Sequence, residues 1–248
     1  NEMKKYGKAG NKEKYAFFHK RQLVQKILLN SLYGVLGLPA FRFYDVDNAT
    51  AVTTTGQTVI KSTADMANIK YNKELGNPDL DSNIYIDTDS VFFSAVPLMD
   101  KRTPNWKDED QDTIAGYVND IAEEMQDYLN DFYDILSKKI FNVDVDKHRL
   151  EIKKEYVAKA GLWIAKKRYA QWIISDNGVP CDKLDVKGLD VKRSSFPKAF
   201  QECMGKVLID ILRGVSEEEL TEYVLDFKKN MVNRPNSEIA KNTAVKNL

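Results

Sequence analysis

The sequence contains little cysteine and no long apolar run. Its only two cysteines, Cys181 and Cys203, lie far apart in the chain and match no metal-binding or redox spacing. Both are therefore expected to be free thiols of a reducing cytoplasm. No apolar segment approaches the length needed to span a bilayer, and no signal peptide is recognisable, so no membrane association is expected.

The sequence also lacks a net charge, because 37 Lys and Arg residues balance 37 Asp and Glu residues. The isoelectric point alone would therefore give no indication of nucleic-acid binding. The charges are nevertheless segregated: residues 108–134 are mostly acidic, whereas the only acidic residue between 4 and 26 is Glu13. The basic residues of that segment are Lys4, Lys5, Lys8, Lys12, Lys14, Lys20, Arg21 and Lys26. Such an arm fits phosphate contact on one face, with a solvated helix face as the alternative for its first half.

The most informative stretch is residues 84–93, where apolar and aromatic residues flank Asp87-Thr88-Asp89 on both sides. These flanks predict two short strands, which places both carboxylates at or near the tip of a hairpin. Carboxylates on a rigid turn are ligands that suit a hard divalent ion such as Mg²⁺. An ordinary polar turn is the alternative, because Asp and Thr also favour turns by bonding to their own backbone.

Periodicity predicts mainly helices around this hairpin. Apolar residues at helical spacing predict helices over residues 12–37, 48–75, 114–140, 198–213 and 217–232. Alternation predicts a strand over residues 150–157 and a hairpin within residues 161–173. Residues 97–112 are rich in Pro, Asp and Lys and predict a surface loop, and residues 177–180 predict a turn.

Two further blocks accompany the acidic hairpin. They read Lys26-x-x-x-Asn30-Ser31-x-Tyr33-Gly34 and Lys166-Lys167-Arg168-Tyr169. Together with Tyr85-x-Asp87-Thr88-Asp89-Ser90 they resemble, in the same order and at plausible spacings, sequence motifs of the family B DNA polymerases. Residues 41–50 and Ser194-Ser195-Phe196-Pro197-Lys198-Ala199 are most similar to the T-even-phage branch. The resemblance covers nearly the whole chain.

The resemblance implies an α+β fold. The expected architecture is a polymerase palm, in which helices back an antiparallel sheet, with a long fingers helix and a helical thumb base. It assigns residues 1–37 to the C-terminal fingers helix, 38–188 to the palm and 189–248 to the start of the thumb.

The resemblance also implies DNA-directed DNA synthesis, in which two Mg²⁺ ions promote nucleotidyl transfer from a dNTP to a primer 3′ end. Asp89 is the expected bridging metal ligand, and Asp87 supports it nearby. Glu155 stands where phage-type enzymes carry a palm carboxylate close to the metal site. An ordinary glutamate on a strand surface is an equally good interpretation of Glu155.

The first block is expected to bind the incoming nucleotide. Lys26, Asn30 and Tyr33 are spaced i, i+4 and i+7, so a helix places them on one face. By resemblance, Lys26 grips the triphosphate and assists catalysis as a mobile point charge, and Asn30 contacts the sugar and phosphates. Tyr33 checks the minor-groove edge of the new base pair, while Ser31 and Gly34 leave room for the template base. A core aromatic is the alternative for Tyr33.

The third block is expected to bind primer-template DNA. Basic and aromatic residues that alternate on a hairpin suit a surface laid against a duplex backbone. The resemblance places Lys167 at the end of the primer-template duplex, on the minor-groove side, with Lys166, Arg168 and Tyr169 in support.

The sequence has no match to the family's first motif, Asp-x-x-Ser-Leu-Tyr-Pro-Ser, which carries the other bridging aspartate. Because the chain also opens on Asn1, we expect a piece of a longer polymerase, inactive or nearly so without an N-terminal partner carrying that motif. A C-terminal continuation of the chain would bind a sliding clamp. The complete polymerase would act in a phage replication complex in the host cytoplasm.

Two other classes of function stay open. One is a non-catalytic module that binds duplex DNA, and the other is a structural polymerase-like subunit. The joint presence of Lys26, Asn30, Tyr33 and Asp89 argues against the latter, since no binding role requires them together. A reverse transcriptase would more typically carry Tyr-x-Asp-Asp at the acidic hairpin.

Overall fold

A computed structural model describes residues 2, 5, 6, 9–193 and 195–241. Lys4 and Lys8 of the basic segment, Ser194 of the phage-like stretch and the end of the predicted thumb after residue 241 lie outside the described residues. The chain divides into two compact units, one up to Ser62 and the other from Thr63 onward. The assignment of residues to fingers, palm and thumb stays a prediction.

The first unit is built on helix α1, Lys12–Leu36. The side chain of Asn11 begins the helix by accepting a hydrogen bond from the Lys14 N–H at 3.0 Å, which satisfies one of the free amides of the first turn. Gly37 ends it. The helix predicted over residues 12–37 is therefore confirmed, and it buries none of its side chains.

Helix α2, Val46–Leu75, begins in the first unit and continues into the second. Asp45 caps its start, accepting a hydrogen bond from the Asn48 N–H at 3.0 Å. Its threonine run does not interrupt the helix. The hydroxyls of Thr53 and Thr54 donate to the carbonyl of Thr50 at 2.8 and 2.9 Å, so they find their hydrogen-bond partners within the helix.

The second unit contains two antiparallel sheets and several helices, which confirms the α+β prediction. The sheets are β1 (Asn83–Asp87) with β2 (Ser90–Phe93), and β3 (Tyr156–Ala165), β4 (Arg168–Asp176) and β5 (Val179–Lys187) in that order. The helices are α3 (Val96–Arg102), α4 (Gln111–Lys139), α5 (Lys198–Leu212), α6 (Glu217–Asn230) and α7 (Asn236–Ile239), with short 3₁₀ turns at Trp106–Asp108, Asp190–Lys192 and Met231–Asn233. Over the described ranges, no helix combines the length and the apolar character needed to cross a membrane.

The main core of this unit lies where α2, α3 and α4 meet the first sheet. Tyr71 and Met125 are almost fully buried, and the Tyr71 ring meets the Phe93 ring edge-on at 5.5 Å. The stripe of apolar residues that predicted α4 supplies one wall of this core. Its buried residues are Ala67, Tyr71, Ala95, Leu98, Met99, Ile121, Met125 and Leu129.

The three-stranded sheet uses both of its faces. One face packs against α5 through a second core formed by Ala170, Val186, Leu189, Leu208 and Leu212. The other face carries Trp163 and Tyr169, which are paired across β3 and β4 and pack against Phe92 of β2. The second face therefore fixes the three-stranded sheet against the hairpin that carries the acidic residues.

The loop predicted over residues 97–112 is wrong for its first part, where α3 forms. Pro97 stands in the first turn of α3, a position that needs no N–H donor. Leu98 and Met99 are 3% and 2% exposed and belong to the main core. Burial of these two side chains therefore outweighs the polar composition of the segment.

The strand predicted over residues 150–157 is also wrong for most of its length, since β3 begins at Tyr156. The preceding segment bonds to side chains of α4 instead of a neighbouring strand. The Asn130 amide accepts a hydrogen bond from the Ile152 N–H at 2.9 Å and donates to the Ile152 carbonyl at 3.1 Å. Gln126 accepts from the Lys154 N–H at 3.0 Å. These amides occupy the backbone groups that a strand partner would use.

A shared arginine joins α2, α3 and α4 at their surface. Arg102 donates to both carboxylate oxygens of Glu74 at 2.6 and 2.8 Å and to both of Glu124 at 3.0 and 2.8 Å. Arg102→Met should lower the free energy of unfolding by about 1–2 kcal/mol, the upper range for a partly exposed bidentate network. Urea denaturation measures this change.

Lys107→Met is the matched control. Lys107 is exposed and reaches Asp100 only at 3.6 Å, so its loss should change stability by less than about 0.5 kcal/mol.

Arg102 also lowers the pKa of Glu74 and Glu124 by hydrogen bonding. The stabilisation is therefore complete above the ordinary Glu pKa of about 4.3 and is lost as pH falls through the lowered values. An equal acid sensitivity in Arg102→Met and the parent chain would contradict this role.

Candidate active site

The acidic residues lie at the tip of the β1–β2 hairpin, as predicted. Asp87 pairs with Ser90, and Thr88 adopts the left-handed conformation at φ 54°. The turn is closed locally, because the Thr88 hydroxyl donates to Asp87 Oδ1 at 3.0 Å and the Ser90 hydroxyl donates to the Asp87 carbonyl at 3.1 Å. These bonds hold Asp87, and the Asp89 N–H donates to the Asp87 carbonyl at 2.6 Å, so the turn places both aspartates at the tip of the hairpin.

The turn between β3 and β4 brings the lysine block to this hairpin. Lys167 has φ 59°, which the reversal of the chain requires, and its side chain extends to the acidic turn. Lys167 Nζ lies 2.6 Å from Asp87 Oδ1 and 3.3 Å from Thr88 Oγ1. Two sequence blocks 80 positions apart thus meet at one ion pair.

This contact stabilises the charged form of both groups. The hydrogen bond from Lys167 lowers the pKa of Asp87, with a smaller contribution from Thr88, while partial burial opposes the shift. The same bond raises the pKa of Lys167. The ion pair is therefore fully formed between the ordinary pKa values of Asp and Lys, about 3.9 and 10.4. It is lost as pH falls through the lowered pKa of Asp87 or rises through the raised pKa of Lys167.

An aromatic cluster connects the two hairpins beneath the ion pair. The Tyr169 ring lies 5.5 Å from Tyr85, 5.7 Å from Phe92 and 6.4 Å from Trp163. Tyr169 is only 6% exposed. Tyr169 packs under the lysine turn, whereas Lys166, Lys167 and Arg168 are exposed. The supporting role of Tyr169 in DNA binding stays a prediction.

Asp89 differs from Asp87 in its surroundings. It is exposed, and its carboxylate makes no hydrogen bond or ion pair within the described part of the chain. Two carboxylates on one turn fit Mg²⁺, which is usually held by one or two carboxylates with water and phosphate oxygens completing the shell. In the described residues no group of three or more His, Cys, Asp or Glu side chains could hold a metal. The acidic turn therefore offers part of a metal site.

Glu155 lies at the other end of the β3–β4 hairpin. It precedes Tyr156, the first residue of β3, whereas the lysine turn follows Ala165, the last one. A ten-residue strand extends for roughly 30 Å. Because Lys167 contacts Asp87 directly, Glu155 lies at the end of the hairpin away from the acidic turn. Its role as a metal ligand stays a prediction.

The nucleotide-binding residues predicted from the first block lie on α1, in the other unit. Lys26, Asn30, Ser31, Tyr33 and Gly34 are all exposed. Tyr33 is 41% exposed and so is not part of a core within the described residues. Their role in nucleotide binding stays a prediction.

Two residues that shape the lysine turn were not predicted from the sequence. Tyr85 accepts a hydrogen bond from the Lys167 N–H at 2.7 Å, and Gly188 packs against the Lys167 carbonyl. A signal for Tyr85 was present, because Tyr85 and Asp87 are two residues apart on a strand and so share a face. Nothing in the sequence pairs Gly188 with Lys167.

Comparison with known proteins identifies the family of the chain. The family described as DNA polymerase family B matches residues 1–105 and 112–248. The DNA-directed DNA polymerase of Enterobacteria phage T4 is 32% identical over 219 residues, covering 84% of this chain and 24% of that protein. That of Escherichia phage RB69 is 32% identical over 202 residues, covering 75% and 22%. The DNA polymerase of Thermococcus gorgonarius is 28% identical over 204 residues, covering 82% and 21%.

The chain belongs to the family B DNA polymerases, and its similarity to phage members confirms the resemblance seen in the sequence. It spans about a quarter of the length of the two phage relatives, 24% and 22%.

Proposed function

We propose that this chain supplies the acidic hairpin and the duplex-binding turn of a DNA-directed DNA polymerase. The observation that carries the proposal is the 2.6 Å contact between Lys167 Nζ and Asp87 Oδ1. It joins a turn suited to a divalent ion with a turn suited to a nucleic-acid phosphate. A polymerase needs these two properties side by side, because the primer end must lie next to the metal ions.

In this proposal Asp89 and Asp87 hold Mg²⁺ together with the first-motif aspartate of a partner segment. When bound, Mg²⁺ would activate the primer 3′ hydroxyl and neutralise the triphosphate. Asp89 is the better candidate for the shared ligand, because its carboxylate is exposed and has no described partner. Asp87 already holds Lys167, so its second oxygen is the one left for an ion.

The nucleotide would bind to the exposed face of α1 in the first unit. Lys26 is a flexible point charge that can follow the triphosphate. Asn30 and Tyr33 lie one and two turns further along the same face, which suits contacts with the sugar and with the base pair. These assignments come from the family motif.

The duplex would bind at the lysine turn. Lys166, Lys167 and Arg168 are exposed, and the half-buried aromatic cluster beneath them keeps the turn in place. Contacts of this kind attract the phosphate backbone without reading its sequence.

Replacing Lys167 tests the duplex contact. Lys167→Ala should weaken binding to primer-template DNA evenly across sequences and reduce the slope of log K against log salt by about one unit. Titration of a fluorescent duplex at several salt concentrations measures both quantities. Lys139→Ala at the exposed end of α4 removes the same charge elsewhere and should leave the slope unchanged. An unaltered slope and affinity in Lys167→Ala would remove this lysine from the interface.

A further inference from the structure

The backbone of Lys167 is held from two sides. On one side its N–H donates to the phenol oxygen of Tyr85 at 2.7 Å. The Lys167 backbone has φ 59°, a conformation that a residue with a Cβ adopts only at an energetic cost. A tertiary hydrogen bond to this residue helps to stabilise the strained turn, and it comes from the hairpin that also carries the acidic residues.

Gly188 closes the other side. Its φ is +64°, and a Cβ placed there would lie 2.0 Å from the Lys167 carbonyl oxygen and 3.1 Å from its carbonyl carbon. These are backbone atoms, so no side-chain rotation relieves the collision. The turn can therefore approach β5 this closely only because residue 188 is glycine.

Tyr85 and Asp87 act on the same lysine from the same strand face. Asp87 contacts the side-chain Nζ, and Tyr85 contacts the backbone N–H. The Tyr85 ring is itself fixed by Phe92 at 5.8 Å and Tyr169 at 5.5 Å. The acidic hairpin thus contacts both the backbone N–H and the ammonium group of Lys167.

We propose that Tyr85 and Gly188 are positioning residues for Lys167. They hold the turn in one left-handed conformation, so that the ammonium group is presented beside Asp87 at the place where the duplex binds. Binding then costs less conformational entropy than it would from a flexible turn. The proposal deepens the proposed function and relies on it for the identity of the partner, duplex DNA.

Hydrogen exchange on the free chain tests the positioning itself. Tyr85→Phe keeps the ring and removes only the acceptor, so exchange of the Lys167 amide should accelerate about fivefold or more, the worth of one net hydrogen bond. The amide of Ile173, inside the β3–β4 ladder, should keep its protection. Tyr156→Phe is the matched control, because Tyr156 lies on β3 and is 42% exposed. A Lys167 amide that is unprotected in the parent chain, or unchanged in Tyr85→Phe, would overturn the proposal.

A comparison of two glycines distinguishes the steric collision with Lys167 from the cost of placing a Cβ at positive φ. Gly178 has φ +79° with open space around its Cβ position, whereas Gly188 has φ +64° and meets Lys167. Gly178→Ala and Gly188→Ala should therefore both lose some stability, but only Gly188→Ala should alter exchange of the Lys167 amide. Equal effects of both variants on that amide would remove Gly188 from the proposal.

Duplex titration tests the consequence. Tyr85→Phe should weaken duplex binding about fivefold in the parent chain and should have no further effect in a Lys167→Ala background, because it acts through that lysine. An equal loss in both backgrounds would show a general structural role and overturn the inference. If the parent chain does not bind duplex at all, the proposed function fails, and amide exchange still decides whether Tyr85 and Gly188 position Lys167.

Discussion

Asp89→Asn should reduce nucleotidyl transfer by about a thousandfold or more when the chain is assembled with a partner that carries the family's first motif. Asparagine keeps the shape of the side chain but removes the anion expected to hold two divalent ions. The loss of one shared ligand costs several kcal/mol of transition-state stabilisation, which corresponds to a rate loss of this order. Single-turnover primer extension in Mg²⁺ measures it.

The same variant should leave duplex binding intact or slightly tighter, because it also removes a negative charge that faces the phosphates. Asp79→Asn provides the control, since Asp79 is an exposed turn residue outside the acidic hairpin and loses the same charge. Near-normal synthesis by Asp89→Asn would mean that the active site has been assigned to the wrong hairpin. Unchanged duplex binding with no synthesis in any assembly would favour the non-catalytic binding module.

The acidic hairpin was predictable because its signals are local. Short runs of apolar and aromatic residues define both strands, and the turn between them falls at Asp87-Thr88-Asp89. Helix α1 was predictable for the same reason, from apolar residues at helical spacing along residues 12–37. Such elements form from neighbours in sequence, and their signals do not depend on the rest of the fold.

The contact between Asp87 and Lys167 was not predictable from spacing. It spans 80 positions and depends on packing of Tyr85 and Phe92 against Tyr169. Tyr169 is an example of a residue whose burial depends on this packing. Its position next to lysines suggested a surface residue, but the packed hairpins bury it. Burial is a property of the assembled sheets.

Strand β5 was not predicted from the sequence because it forms by pairing with β4. Pro180 and the two aspartates in Val179–Lys187 are unfavourable in an isolated strand. Pro180 is tolerated because β5 is the last strand in the order β3-β4-β5, and an edge strand does not need every N–H donor. Alternation of Leu184 and Val186 toward the second core was the one local signal available.

The 248-residue chain alone should show no templated synthesis above background, which is the largest effect expected here. Two bridging carboxylates are needed to share two ions; Asp89 is expected to be one, and the family's first motif carries the other. In the described residues no third acidic, His or Cys side chain joins Asp87 and Asp89 to replace it. Extension of a labelled primer with Mg²⁺ and all four dNTPs tests this, with the Asp89→Asn chain as the blank. Addition of a segment carrying the first motif should restore synthesis in the parent chain only. Templated extension by the isolated chain that disappears in Asp89→Asn would show that the acidic turn completes its metal site without the partner.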